Sequence, residues 1–437
     1  MATSTMKSRY TSTKVIQVSI WGQVVGAVAL DPTYGYYVFS YADKFRKSSI
    51  ELAPLQMPLK STNEPVMFSD LPEATYKRLP AMLADALPDD FGNDLVNRYM
   101  AERGIPPSQI SALDRLAYMG SRSMGALEFK PQHGPRKMTS TAIVLSSLVQ
   151  EARNVVSGTF DDDDHTKAAL RSIIEVGTSA GGARAKAVIA WNPVTQEIRS
   201  GHANVDPGFT HWLLKFDGVG MDKEFSSSMG YGRIEYAYYL MAKAADIDMS
   251  DSRLLEENGR AHFMTRRFDR EENNVRHHMQ TLCAMAHMDY KKKGTNSYAQ
   301  FFMAIRELDL PREAMVQAFR RMVFNMMARN CDDHSKNFSF LLKQGSQWEL
   351  SPAYDITFAY NPSSEWVSQH LMSVNGKFRE FDVQDILSEA DRFGIGEIRS
   401  ILNVTRSAIT RWREFAALAG VSEADASNIE AQFLMLN

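Results

Sequence analysis

The chain opens on alternation. Val15, Ile16, Val18, Ile20 and Trp21, then Val24, Val25, Ala27 and Val28, recur around Gly22 and Gly26, the period-two pattern of a hairpin or meander. Asp31-Pro32 is a turn signal, and Tyr36 to Tyr41 reads as a third strand. From about Leu71 the period lengthens. Tyr76 to Ala86, Asn93 to Arg103 and Ile110 to Met119 carry apolar residues at helical spacing, punctuated by Pro88, Gly104-Ile105-Pro106-Pro107 and Gly120. Another helix is predicted over Thr141 to Val155. Strand patterning returns between Ile173 and Phe216, in Ala187 to Trp191, Glu197 to Ser200 and His211 to Phe216. A helix over Gly232 to Ala245 and a strand over Arg260 to Asp269 follow. Beyond Asn273 the chain reads as helical, except for a short hairpin formed by Phe338 to Leu342 and Trp348 to Leu350. No repeat of 20 to 50 residues is apparent. Strands with one long helix, then a helical half, predict an α+β protein of two lobes with a ligand cleft between them.

Composition narrows the function classes. The 437 residues exceed one small domain, and 44% hydrophobic against 23% charged is globular. Lys plus Arg is 49 and Asp plus Glu is 52, a net charge of -3, so a protein that coats nucleic acid by a basic excess is excluded. Cys283 and Cys331 cannot form a disulfide scaffold or a four-cysteine zinc site. No apolar run approaches the ~20 residues of a spanning helix, and Met1 to Lys14 lacks a signal-peptide core. The expectation is a soluble cytoplasmic protein with no membrane contact.

Chemistry concentrates in Asn330-Cys331-Asp332-Asp333-His334-Ser335-Lys336-Asn337. The spacing Asp332 to Asn337 is Asp-x-x-x-x-Asn, the arrangement of a kinase catalytic loop. A carboxylate there can orient an acceptor hydroxyl and take its proton, while the amide oxygen ligates Mg²⁺. Asp355, after the predicted hairpin, stands where a second metal carboxylate belongs. Upstream, Gly177-Thr178-Ser179-Ala180-Gly181-Gly182-Ala183 lies between apolar runs. It is neither a Walker loop nor a clean Gly-x-Gly-x-x-Gly, and suits an ordinary hairpin turn as well as a phosphate cradle. Lys186 follows it. Lys215 ends the strand Trp212 to Phe216, where a lysine either snorkels or contacts α- and β-phosphates. Glu235, on the next helix, is its candidate partner. Asp161 to Asp164 reads as a solvated acidic loop rather than a calcium site. His277, His278 and His287 fall on a Met-rich stretch read as one core helix, not a zinc site. Lys377 and Arg379 are candidates for a DNA phosphate contact if a DNA-bound partner presents them.

Together these residues resemble the HipA family of serine/threonine kinase toxins from bacterial toxin–antitoxin pairs, over nearly the whole chain. Val15 to Leu30 is similar to that family's small N-terminal sheet. Leu87-Pro88-Asp89-Asp90-Phe91-Gly92 and Met124-Gly125-Ala126-Leu127-Glu128-Phe129 are similar to two of its signatures. Ser179 to Lys186 resembles its phosphate loop, Arg267-Phe268-Asp269-Arg270 its hinge, and Asp332 to Asn337 its Asp-Gly-His-x-Lys-Asn loop. The resemblance implies a two-lobed protein-kinase-like fold with a mixed sheet-and-helix N-terminal lobe and an α-rich C-terminal lobe. Its expected parts are an N-terminal subdomain over 1–140, an ATP-binding part over 141–270 and a catalytic lobe over 271–437. It implies ATP and Mg²⁺ as cofactors, Asp332 as catalytic base, and Asn337 with Asp355 as metal ligands. Gly177, Thr178, Ser179, Ala180, Gly181, Gly182, Lys186, Lys215 and His334 would serve the nucleotide, and the backbone at Arg267 and Phe268 would face adenine. Ser179 would be autophosphorylated. The implied partners are an aminoacyl-tRNA synthetase as substrate and a HipB-like helix-turn-helix antitoxin that carries the toxin to operator DNA. Two departures stand out. Asp333 replaces the family's glycine, so only spacing selects Asp332, and Arg266 stands where an acidic residue is common. A non-catalytic corepressor would be favoured by loss of Asp332, Asn337 or Asp355, and all three are present. A small-metabolite or lipid kinase is the other alternative.

Overall fold

Strand β5 (Lys186–Trp191) is buried at every position, as a continuous apolar run in mid-sheet requires. In the computed structural model, which describes residues 10–88, 90–135, 142–157, 173, 184–219 and 230–436, it belongs to the second of two N-terminal sheets. The first has the order β3-β2-β1-β4, with β1 (Val15–Ile20), β2 (Gln23–Leu30), β3 (Tyr37–Tyr41) and β4 (Leu127–Lys130) all antiparallel. The second has the order β6-β5-β7-β9-β8, adding β6 (Ile198–Ser200), β7 (Thr210–Lys215), β8 (Ser252–Glu257) and β9 (Arg260–Arg266). The C-terminal lobe is rich in helices, including Tyr298–Glu307, Arg312–Met327, Val383–Phe393 and Ile398–Thr410. The fold is the expected two-lobed α+β arrangement. One continuous apolar core runs from Ile16 to Leu436, so the lobes share an interior.

Two local expectations need correction. The helix expected over Tyr76 to Ala86 is two short ones, Glu73–Tyr76 and Ala81–Ala84. Lys77 and Arg78 between them take φ values of 53° and 63°, which no helix accommodates, and Pro80 removes a backbone donor. The Met-rich stretch is not one helix. His278–Thr281 forms β10, paired with β11 (Ser339–Leu342), and only Leu282–Met285 is helical. His287 has φ 54°. Leu282, Met285 and Met288 are buried, as expected of core. Lys377 pairs with Asp385 (2.9 Å) and Asp382 (3.3 Å) and stays 42% exposed. The acidic run Asp161 to Asp164 lies outside the described residues.

Candidate active site

The site forms because the end of β7 and the start of the next helix are tied together. Lys215 is the last residue of β7. Two residues on, buried Asp217 accepts the backbone N–H groups of Gly230 (3.2 Å) and Tyr231 (3.1 Å), capping the helix Tyr231–Ala244. Gly232 lets that helix lie against β9: a Cβ there would sit 1.9 Å from the Ala261 carbonyl oxygen. Glu235, one turn in, thereby meets the Lys215 ammonium, which also contacts the carboxylate of Asp355. Asp355 holds a left-handed backbone at φ 56°, a conformation Asp tolerates better than most residues and one that clusters at functional sites. Burial opposes ionisation of Asp355, but Lys215 outweighs it and holds the carboxyl at about 2. Lys186 is buried and lies directly across the ladder from Lys215.

The opposite wall comes from the segment Asp332 to Asn337. Asn337 donates its side-chain N–H to the Asp332 carbonyl at 2.8 Å, which leaves its amide oxygen as the group able to take a cation. Asp332 accepts the Trp366 indole N–H at 2.8 Å, and His334 lies 3.7 Å away. Burial pushes the Asp332 carboxyl up, and His334 and Trp366 counter it. The two adjacent carboxylates point in different directions. Asp332 lines the cleft, whereas Asp333 is fully buried and accepts the Tyr298 hydroxyl (2.8 Å), His370 Nδ1 (2.9 Å) and the Leu371 amide (2.8 Å).

Two cavities meet at Lys215, Lys336 and Asp355. The smaller, about 100 Å³, is walled by Met82, Leu213 and the hinge, with Phe268 packed against Tyr354 at 5.8 Å between ring centres. The larger, about 530 Å³, reaches past Lys186 and Asp332 to Arg115 and Trp366. The lining of this pair is compatible with a nucleotide. In the smaller cavity Thr265 Oγ1, Arg267 Nη1 and both His278 ring nitrogens are buried without a protein partner, which is what a polar ligand or water would satisfy. Mg²⁺ keeps much of its shell as water and phosphate oxygen, so one amide and one carboxylate suit it.

The Arg267 backbone N–H donates to the His211 carbonyl at 2.9 Å, and its buried guanidinium donates to Asp269 at 2.8 and 2.6 Å. Arg266 approaches Asp251 only at 4.0 Å and is 43% exposed. The Gly177 to Gly182 loop, with Ser179, lies outside the described residues. Sequence reasoning missed Asp85, which lines the smaller cavity and accepts both the amide and the hydroxyl of Thr281 (2.7 Å each). It also missed Trp366 and His370, which sit in a stretch without periodicity and touch the loop only through the fold.

Family comparison decides the kinship. The HipA N-terminal domain description matches residues 16–130, and the HipA-like C-terminal domain description matches residues 178–429. The chain belongs to the HipA family. Among solved structures this HipA-family chain resembles HipA of Shewanella oneidensis MR-1, solved with HipB and its operator DNA, at a TM-score of 0.67 and 16% identity. The match covers 95% of this chain and 94% of that one, a likeness of fold. A Helicobacter pylori proinflammatory kinase, CtkA, matches at a TM-score of 0.33 and 13% identity over 51% of this chain and 88% of its own. That likeness carries no argument. Among the described residues, no helix is long and apolar enough to cross a membrane.

Proposed function

We propose that the chain is an ATP- and Mg²⁺-dependent serine/threonine protein kinase acting as a toxin. The observation that carries the reading is the convergence of Lys215, Glu235 and Asp355 from one side with Asp332 and Asn337 from the other on the two adjoining cavities. Lys215 and Lys186 hold the nucleotide phosphates, with Glu235 fixing the Lys215 ammonium. Asp332 orients the acceptor hydroxyl and receives its proton. Asn337 and Asp355 would hold Mg²⁺, which neutralises charge on the β- and γ-phosphates when bound. The acceptor we favour is an aminoacyl-tRNA synthetase. Mass spectrometry of the protein and a lysate after incubation with ATP and Mg²⁺, beside an Asp332→Asn control, tests the activity. Phosphate on a protein hydroxyl with the unmutated chain alone is expected, and phosphate only on small molecules would replace this reading with a metabolite kinase.

Two further expectations belong to it. Ser179 is the proposed autophosphorylation site. A phosphoserine carries ~1.5 to 2 negative charges, which would compete with ATP for the loop's donors and Lys186 and shut the kinase off. Intact-mass analysis of the unmutated chain and Ser179→Ala, each with and without Asp332, should show one added phosphate only where both side chains are present. A phosphate that persists on Ser179→Ala would assign the site elsewhere. The second concerns DNA. At a net charge of -3 the isolated chain should bind an operator weakly, and a basic HipB-like antitoxin should carry it there. Mobility-shift titrations with and without the antitoxin check this, and tight sequence-specific binding by the chain alone would contradict it.

A further inference from the structure

The catalytic loop carries two adjacent carboxylates, and a single downstream segment grips both. Asp333 points away from the cleft, with no exposed surface. A buried carboxylate needs donors on its oxygens, and two of its three come from consecutive residues, His370 Nδ1 (2.9 Å) and the Leu371 amide (2.8 Å). The third, the Tyr298 hydroxyl, is oriented by Asn325, whose side-chain N–H donates to it at 2.9 Å. Asn325 in turn accepts from Asn330 at 2.9 Å, at the start of the loop. On the other face, Trp366 of the same segment donates to Asp332 at 2.8 Å. Upstream, the segment begins beside the loop too: Cys331 N–H donates to the Ala359 carbonyl (3.0 Å), and Ala359 N–H to that of Arg329 (3.1 Å). The chain between Ala359 and Leu371 therefore borders the loop at its start, its cleft-facing carboxylate and its buried one.

We propose that this segment is a clamp that sets the catalytic loop, with Asp333, His370 and Trp366 acting as positioning residues for Asp332. The inference rests on the kinase reading. Phosphoryl transfer depends on placing the acceptor oxygen within a fraction of an ångström, and Asp332 can do this only if its backbone and its side-chain rotamer are both fixed. Asp333 fixes the backbone from behind, and the Trp366 N–H fixes the rotamer from the front. Neither contact involves Lys186 or Lys215, the residues proposed to hold the phosphates. The clamp therefore governs turnover and not nucleotide affinity.

The test is a pair of variants, His370→Gln and Trp366→Phe, read two ways. Hydrogen exchange of the peptide spanning 330–338 should quicken at least about tenfold in both, while the peptide spanning 186–191 is unchanged. In phosphoryl transfer, kcat should fall about tenfold or more with KM for ATP within about twofold of the unmutated chain. If His370→Gln does not fold, Trp366→Phe, which alters a partly exposed side chain, decides alone. Unchanged exchange, quickened exchange with unchanged kcat, or a KM for ATP that rises in step with the loss would each overturn the proposal. Should the unmutated chain transfer no phosphate, the kinase reading fails, and the exchange measurement still judges the clamp.

Discussion

Asp332→Asn is expected to lower phosphoryl transfer about 10²- to 10⁴-fold, the range assigned to a positioned general base, while ATP affinity stays within a few-fold. The reason is geometric. Asp332 lies across the cleft from Lys215 and Lys186, and its carboxylate bonds to Trp366 rather than to any residue placed on the phosphates. Asparagine keeps the shape and can still accept from Trp366, so the loop should stay in place. Only the ability to take the acceptor's proton is lost. Single-turnover transfer measured beside nucleotide binding separates the two quantities. Equal transfer rates in the variant and the unmutated chain would dismiss Asp332 as the base.

Asp355→Ala should be as damaging by a different route. Its carboxylate has two tasks: it partners the Lys215 ammonium, and it is one of two groups proposed for Mg²⁺. Without it, Lys215 is left with Glu235 alone, and the metal loses its only charged protein ligand in the proposal. A metal's electrostatic contribution is several kcal/mol, so transfer should fall by at least about 100-fold. The distinguishing mark is in binding. ATP affinity measured with Mg²⁺ and with EDTA should differ for the unmutated chain and become alike for Asp355→Ala. Retention of the Mg²⁺-dependent part of ATP binding would take Asp355 out of the metal site.

Much of this was legible in the chain, and the exceptions share a cause. The strands β5 and β7 declare themselves by apolar runs, and the Asp-x-x-x-x-Asn spacing marks the loop. Spacing alone could not say whether Asp332 or Asp333 faces the cleft, because that depends on Tyr298, His370 and Leu371, which lie 35, 37 and 38 residues from Asp333. Similarly, β10 is a strand because β11, some 60 residues away, pairs with it, while its own Met-rich sequence also suits a helix. The break at Lys77 and Arg78 carries no glycine to announce its left-handed backbone. Local pattern reports local preference, and these features are set by distant partners.

The hinge has a consequence for how such proteins can be recombined. Asp269 is 1% exposed and is encircled by Arg267, Arg270 and the amide of Gly125, which lies 144 residues upstream. Gly125 takes φ 75°, and a Cβ there would come within 2.8 Å of the Met279 amide nitrogen. Arg276 reaches back as well, to Glu128 and the Gly125 carbonyl. The two stretches that match separate family descriptions are thus soldered through one charged knot. A chimera that exchanged the first 130 residues for those of a relative would inherit a hinge whose counter-charges and close contacts were shaped by another partner. The two halves are modular as text but not as matter: they have to be inherited together.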